Sequence, residues 1–380
     1  MYNKIMESKI KTAVFGGAFD PIHSQHVEVA GKAVDALNVS RLVIVPTKNP
    51  PHKSDAVVSF KDRVNMLKAA FKIPGCEVIV DEIENNDRSN NCTADIVPEL
   101  KARYGPFYYV IGGDSLEHFH TWVRPWEILR EAPLAVFDRE GYLPVKETAA
   151  GILKKWQGDI VFLPFTGKAM SSSDLKACLL MGERPSDMPE AVTEYIVNHG
   201  LYSKYLSVTD KLSGLLTEAR FIHSKNTVRA AVALNSRHNL QQDFDKVFLS
   251  ALLHDAGKYR YVKEEVPADA IGTPVEHQFA GAVIARDLFG INDTEILNAV
   301  KYHTTGRENM SVIEKIVYAA DMVSEERVYP GVDKLRAAVY NDFDRGFRLL
   351  LKESYLHVRS KSDVYPLTLQ ACLYYNVFED

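Results

Sequence analysis

The chain has 380 residues, enough for two domains with a core each. Hydrophobic residues at 46% and charged residues at 25% are those of a folded globular protein, and no apolar run approaches the ~18–20 residues of a membrane span. A formal net charge of -5, without a basic patch interleaved with aromatics, excludes a general affinity for nucleic acid or an anionic membrane.

The chain opens MYNKIMESKIKTAVFGG, which lacks a long apolar core before a small-residue cleavage site, so no signal peptide is expected. Cys76, Cys92, Cys178 and Cys372 are scattered without a CxxC pair; reduced thiols and a cytoplasmic location are the expectation. Short apolar runs then alternate with helical patterns. Strands are expected at TAVFGG (12–17), RLVIVPT (41–47), CEVIV (76–80), FYYVIGG (107–113), LAVF (134–137) and IVFLP (160–164). Between them, HVEVAGKAVDAL and FKDRVNMLKAAF carry apolar residues three and four apart, the spacing of a helix face. This alternation predicts a parallel sheet with helices on both faces.

Past about residue 200 the strand signal fades. NHGLYSKYLSVTD (198–210) is the expected junction, giving domains 1–203 and 204–380. Beyond it the patterns TDKLSGLLTEARFIHS, NTVRAAVALNSRH, DKVFLSALLHDAG, HQFAGAVIARDLFG, DTEILNAVKYH, SVIEKIVYAADMVSEE and VDKLRAAVYNDFDRGFRLLLKESY are helical, and several stop at Gly or Asn. The fold class is therefore an α/β doubly wound parallel sheet followed by an all-α bundle, with no heptad seam to announce an oligomer.

The first strand runs into GGAFDPIHSQH (16–26), with a helix expected to start near His26. Gly16 and Gly17 let the backbone turn sharply and approach a ligand closely. A helix start then offers free N–H groups and a positive dipole end, a seat for phosphate. His23 and His26 beside that seat can donate hydrogen bonds to phosphate oxygens as charge builds up in transfer. Spacing alone leaves open a plain turn carrying two surface histidines.

GGAFDPIHSQH resembles the GG-x-FDP-x-H-x-G-H signature of the nucleotidyltransferases, and specifically of the nicotinate-nucleotide adenylyltransferase family of bacterial NAD synthesis. Further motifs follow in order: PTKNPPHKSD (46–55), GGDSLEHFHTWVRPWEIL (112–129), Arg139 before Gly141, MSSSDLK (170–176) and PEAVTEYIVNHGLY (189–202). The resemblance implies a Rossmann-like fold and adenylyl transfer from ATP, with Mg²⁺, to nicotinate mononucleotide. It implies a nucleotide site containing Gly16, Gly17, Phe19 and Asp20, with His23 and His26 on the ATP phosphates. Ser171, Ser172 and Lys176 would hold the β- and γ-phosphates. Lys53 would lie close to the mononucleotide phosphate, and Asp114 would bind ATP ribose or its Mg²⁺ shell. Arg139 would join the nucleotide site, and Trp122 would offer a flat face to the pyridine ring. Trp122 and Trp126 stand four apart, so one of them is expected in the core. The chain departs from the pattern at Gln25, where the family has glycine, at Lys176, where it has arginine, and at Ser173, where it has threonine.

In the second half, histidines and aspartates follow apolar runs: RFIHS with His223, LLHDAGK with His254 and Asp255, EHQFAGA with His277, KYHTTG with His303, and YAADMVSEER with Asp321. Buried imidazoles and carboxylates are costly unless partnered, and several converging are most simply explained by a bound cation. These strings resemble the HD-domain metal-dependent phosphohydrolases, in the branch that splits symmetrical dinucleoside tetraphosphates into two diphosphates. The resemblance implies that His223, His254, Asp255, His277, His303 and Asp321 ligate two divalent transition metals, iron or manganese, with Asp255 bridging. The metals would polarise a phosphoryl oxygen and acidify a bound water. Lys258 would reach substrate phosphate, with Arg327 or Arg336 in support. Ser324–Glu325 stands where this branch has Glu–Pro. The combined expectation is a bifunctional enzyme acting on ATP, nicotinate mononucleotide and dinucleoside polyphosphates. The alternatives are an inactive nucleotide-binding first half regulating an HD phosphohydrolase, and a non-catalytic nucleotide sensor.

Overall fold

A computed structural model describes residues 10–48, 58–86, 92–140, 142, 144–168, 170–258 and 265–379. The chain divides into two compact units. Of the described residues, those up to 172 and those of 184–202 form the first, and 173–183 with 203–379 form the second.

The first unit is built on β1 (Thr12–Gly17), α1 (Ser24–Leu37), β2 (Arg41–Pro46), α2 (Phe60–Ala70), β3 (Glu77–Val80), α3 (Thr93–Tyr104) and β4 (Phe107–Gly112). It continues through α4 (Gly113–Glu117), α5 (Pro125–Glu131), β5 (Leu134–Arg139), α6 (Val145–Lys155) and β6 (Ile160–Gly167). The six strands lie in the order β3-β2-β1-β4-β5-β6 and every pairing is parallel. Each expected strand is present. The Val/Ile-rich runs form them because both faces are covered, so alternation is not needed. Val14, Val43, Val45, Tyr109, Ile111 and Val136 project into one continuous core with α3 and α5.

Strand order reverses its direction of growth between β1 and β4. Val14 pairs with Val43 on one side and with Tyr109 on the other. In open parallel sheets the crevice beyond the carboxyl ends at such a point is where ligands bind. Both strands end there in glycine, at Gly16–Gly17 and at Gly112.

The second unit is helical. α7 (Ser172–Leu180) spans the division, and α8 (Glu190–Asn198) closes the first unit. Then come α9 (Leu206–Ser213), α10 (Glu218–Arg237), α11 (Phe244–Leu253), α12 (Glu276–Asp287), α13 (Thr294–Lys301), α14 (Val312–Val323), α15 (Val332–Asn341), α16 (Phe343–Arg359) and α17 (Pro366–Tyr374). Two helical boundaries differ from the sequence patterns. The run 209–224 breaks at Gly214, and α10 then continues unbroken through Asn226 to Arg237. The run from Val332 breaks at Asp342, whose carboxylate accepts from Arg345 N at 3.0 Å and so caps α16. The last helix, α17, lies beyond the patterns read from the sequence.

Candidate active sites

In the first unit, β1 delivers Gly16 and Gly17 and the chain turns through Phe19, at φ 47°, and a cis Asp20–Pro21 bond into α1. The helix begins at Ser24, with His23 as its N-cap. Of its first N–H groups, Ser24 N donates to Asp187 O at 2.9 Å and His26 N to His23 O at 3.0 Å, while the positive end of the helix dipole still lies at the switch point. The two imidazoles stack, ring centroids 3.6 Å apart. His23 N donates to His26 Nδ1 at 3.3 Å. His23 is 2% exposed and its Nδ1 has no hydrogen-bond partner. Burial first, and then Arg139, pushes its pKa down to about 3, so the ring is neutral at physiological pH.

The surrounding loops are held by buried charge. Arg63, 1% exposed, donates from Nη1 to Ala18 O at 2.6 Å and Thr47 O at 2.7 Å, and from Nη2 to Lys48 O at 3.1 Å. Those three carbonyls belong to the loops after β1 and β2, so one guanidinium clamps both. Asp20 is buried and accepts from Tyr202 Oη at 2.8 Å across the unit. Glu84 accepts from Lys48 N at 2.9 Å, and burial pushes its carboxyl up to about 7.

At the end of β4, Asp114 Oδ2 accepts from Arg139 at 2.5 Å, while its Oδ1 is buried without a partner. Arg139 also donates to Met170 O, next to Ser171 and Ser172. Asp114, Arg139 and the serine segment are thus joined. Trp122 is half-buried and packs on the core beside Phe119, centroids 5.2 Å apart, whereas Trp126 is 48% exposed. The core member of the pair is therefore Trp122. Gln25 turns its side chain inward, where Oε1 accepts from Lys168 N at 3.2 Å. Lys176 falls in the second unit, 2% exposed, with Nζ 4.0 Å from the Phe244 ring centroid. Lys53 lies outside the described residues, as does most of its motif.

In the second unit the six expected residues converge. α11 ends at His254, and Asp255 follows in the turn. Gly257, in the 3₁₀ turn Ala256–Lys258, lets that turn meet α12: a Cβ there would overlap the His277 carbonyl and lie 2.5 Å from Gly281 N. Asp255, 1% exposed, divides its two oxygens between two imidazole pairs. Oδ1 lies 3.5 Å from both His277 Nε2 and His303 Nε2. Oδ2 lies 3.7 Å from His254 Nε2 and 3.8 Å from His223 Nε2. Asp321 Oδ1 is 2.9 Å from His223 Nε2 and 3.9 Å from His254 Nε2.

The protons decide what this cluster can hold. His254, His277 and His303 each aim Nδ1 at the carbonyl three residues back: Ala251 at 2.7 Å, Pro274 at 2.8 Å and Val300 at 2.7 Å. A carbonyl only accepts, so each Nδ1 carries a proton, and in the neutral rings of His254 and His277 Nε2 keeps a lone pair. His277 Nε2 and His303 Nε2 then face each other at 3.1 Å, beside an Asp255 Oδ1 that has no hydrogen-bond partner. Such a cluster of imidazole nitrogens and a carboxylate oxygen is a set of donors suited to a cation. Burial pushes His254 down to about 4 and His277 down to about 3, which keeps both neutral. For Asp255, burial pushes upward but His254, His303 and Lys258 override it and hold the carboxyl well below the usual range. His223 is opposed by burial, yet its bonds to Asp321 and Glu326 raise it to about 9. The residues fit a divalent metal. Two sets, His223–His254–Asp321 and His254–Asp255–His303, each bring their ligand atoms within 4.8 Å of one another. Lys258 Nζ pairs with Asp255 Oδ2 at 2.6 Å, and Arg327 with Asp321. Arg336 is occupied by the carbonyls of Val323, Ser324 and Arg327.

Comparison with known proteins finds relatives for each half of the chain. Residues 14–177 fit the cytidylyltransferase-like family model, and residues 220–326 fit the HD domain model. A protein of Mycoplasma genitalium described as a probable nicotinate-nucleotide adenylyltransferase/Ap4A hydrolase is 28% identical over 335 residues, 84% of this chain and 89% of that one. A probable nicotinate-nucleotide adenylyltransferase of Clostridium tetani is 30% identical, over 50% of this chain and 98% of its own. A symmetrical bis(5'-nucleosyl)-tetraphosphatase of Bacillus subtilis is 31% identical, over 40% of this chain and 87% of its own. The chain belongs to both families. It is an enzyme, with a nucleotidyltransferase domain followed by an HD hydrolase domain of the kind that binds divalent metal. Among the described residues no helix is long and apolar enough to cross a membrane.

Several supporting residues of the adenylyltransferase and HD domains escaped the sequence reading. Tyr202 closes the motif 189–202 and Arg63 stands on the helix after the motif 46–55, but nothing local marks either as a buried anchor. Gln278 accepts from Thr304 N and Thr305 N at 3.2 and 3.1 Å and donates to Thr305 Oγ1 at 3.0 Å, so it fixes the turn that presents His303. Its position next to His277 was the available signal.

Proposed function

We propose that the chain is a bifunctional enzyme of NAD metabolism. In the first reaction a phosphate oxygen of nicotinate mononucleotide attacks the α-phosphorus of ATP. The bond to the bridging oxygen breaks, and pyrophosphate leaves with that electron pair. The products are nicotinate adenine dinucleotide and pyrophosphate. Gly16, Gly17, Phe19, Asp20 and the start of α1 seat the ATP phosphates. His23, neutral and with an unpartnered Nδ1, and His26 hydrogen-bond to them as charge develops. Asp114, Arg139, Ser171 and Ser172 complete the nucleotide site, with Lys53 as its cation and Trp122 as the aromatic face. ATP arrives with Mg²⁺.

In the second reaction water attacks one of the two inner phosphorus atoms of a symmetrical dinucleoside tetraphosphate. The bond from that phosphorus to the central bridging oxygen breaks, and one nucleoside diphosphate leaves with that electron pair while the other carries the new oxygen. His223, His254, Asp255, His277, His303 and Asp321 would hold two divalent ions, with iron or manganese favoured by the imidazole-rich donor set. Bound metal supplies Lewis acidity toward a phosphoryl oxygen and lowers the pKa of water. Lys258 neutralises Asp255 and stands ready for substrate phosphate. The observation that carries this reading is the divided Asp255 carboxylate, each oxygen facing its own pair of imidazoles.

The test is one screen of the full-length chain, first stripped with chelator and then reloaded with Fe²⁺ or Mn²⁺. Nicotinate mononucleotide with Mg²⁺-ATP is expected to release pyrophosphate in either state. Diadenosine tetraphosphate is expected to yield ADP only after reloading. No pyrophosphate with either pyridine mononucleotide overturns the transferase half, and no ADP from the loaded chain overturns the hydrolase half.

A further inference from the structure

Three of the four imidazoles around Asp255 are oriented by their own chain. His254, His277 and His303 stand at helix ends or turns, where the carbonyl three residues back is free to accept from Nδ1. His223 has no such recourse. It lies inside α10, where the carbonyls of the preceding turn are taken by the helix's own hydrogen bonds. Its Nδ1 needs an acceptor from elsewhere, and Glu326 Oε1 provides it at 2.5 Å. The same oxygen accepts from Ser324 Oγ at 2.8 Å. The turn that carries both is pinned in place. Arg336 donates to Val323 O at 2.9 Å, Ser324 O at 2.9 Å and Arg327 O at 3.1 Å. Arg327 Nε donates to Asp321 O at 2.9 Å.

We propose that Glu326, oriented by Ser324, is the positioning residue of His223. It holds the ring with Nε2 turned toward Asp255 and Asp321 and makes the imidazole a stronger donor to a divalent cation. This rests on the metal-site reading above. It also gives a physical meaning to the departure at Ser324–Glu325. The carboxylate comes from Glu326, and Ser324 supplies the hydroxyl that aims it.

The experiment titrates the chelator-stripped full-length chain with Mn²⁺, reading free ion by electron paramagnetic resonance. E326A is expected to bind Mn²⁺ about 10–100-fold more weakly than wild type. E326Q keeps a neutral acceptor and is expected to recover part of that loss. S324A is expected to fall between wild type and E326A. Adenylyl transfer by each variant reports that the rest of the chain is folded. Should E326A fail that control, E326Q and S324A carry the test, since both must bind more weakly than wild type. A wild-type chain that takes up no Mn²⁺ overturns the metal-site reading itself. A wild-type chain that binds Mn²⁺ beside variants that bind it equally well overturns the role of Glu326 alone.

Discussion

Gln25 shows how far a single residue can be read without its fold. The sequence marks it as a side chain where the family has none, standing between His23 and His26. A Gln there invites the thought of a base crowded by an amide. The structure sends the amide elsewhere, to Lys168 N at 3.2 Å, 143 residues away in sequence. That partner follows β6, on the far side of β4 and β5 from β1, so no local pattern could announce it. The consequence is measurable. Gln25 is buried in the first turn of α1, so Q25G removes one hydrogen bond, about 0.5–1.5 kcal/mol net. It also adds glycine's cost in a helix, up to about 1 kcal/mol. Q25G is therefore expected to destabilise the chain by about 0.5–2.5 kcal/mol in denaturant unfolding. It should also raise the KM for ATP, because Lys168 leads into the serine segment. Q25E keeps an acceptor and places a carboxylate at a helix start, so it is expected to stay close to wild type. A Q25G chain as stable as wild type would mean that the bond to Lys168 contributes nothing.

Elements were more legible than their ends. Buried parallel strands need only a β-branched run, and TAVF, RLVIV and FYYVI declare themselves. Helix boundaries depend on caps and packing. Asp342 within YNDFDR was readable as a cap, and the break at Gly214 as a stop, but both lay inside runs whose apolar spacing continued across them. The metal cluster was legible because polar residues recur after apolar runs; the approach that assembles it was not. HDAGK contains Gly257, and only the packing of its turn on α12 reveals that a Cβ cannot fit there. Overlap with backbone cannot be relieved by a rotamer change, so the turn itself must move. G257A is expected to displace His254 and Asp255 from His277, with loss of bound metal and a stability cost of about 1–3 kcal/mol or more. G281A, whose Cβ would meet Val300 Cγ1 at 3.2 Å and the backbone atoms Gly257 N and His254 O at 3.3 Å, asks its neighbours to give by only a few tenths of an ångström, and is expected to retain more metal than G257A. Metal content after gel filtration ranks the two. Equal retention in both would mean that the turn and α12 are not held as close as the structure has them.

For the whole molecule, the division of labour is clearer in chemistry than in chain. The six histidines and aspartates of the HD site all lie in the second unit, and β1 to β6 all lie in the first. D255A is accordingly expected to abolish hydrolysis of diadenosine tetraphosphate while pyrophosphate release continues unchanged. The same independence does not extend to folding. Residues 173–183 carry the end of the adenylyltransferase serine motif, yet they group with the helical unit. There Lys176 sits over Phe244, and Glu183 pairs with Lys225 at 2.9 Å and with Arg229, both on α10. The cation–π contact contributes about 0.5–2 kcal/mol, and the partly buried ion pairs up to about 1 kcal/mol each. A fragment ending at residue 203 keeps Lys176 and Glu183 but loses Phe244, Lys225 and Arg229. It is therefore expected to unfold at lower denaturant than the first transition of the full chain. Its adenylyl transfer should be weakened chiefly through KM for ATP, since the helix behind Ser172 is no longer supported. Transfer kinetics on wild type, D255A and the fragment separate the two ideas. D255A should match wild type while the fragment does not, and a fragment with full stability and full activity would show that α7 needs nothing from the helical unit.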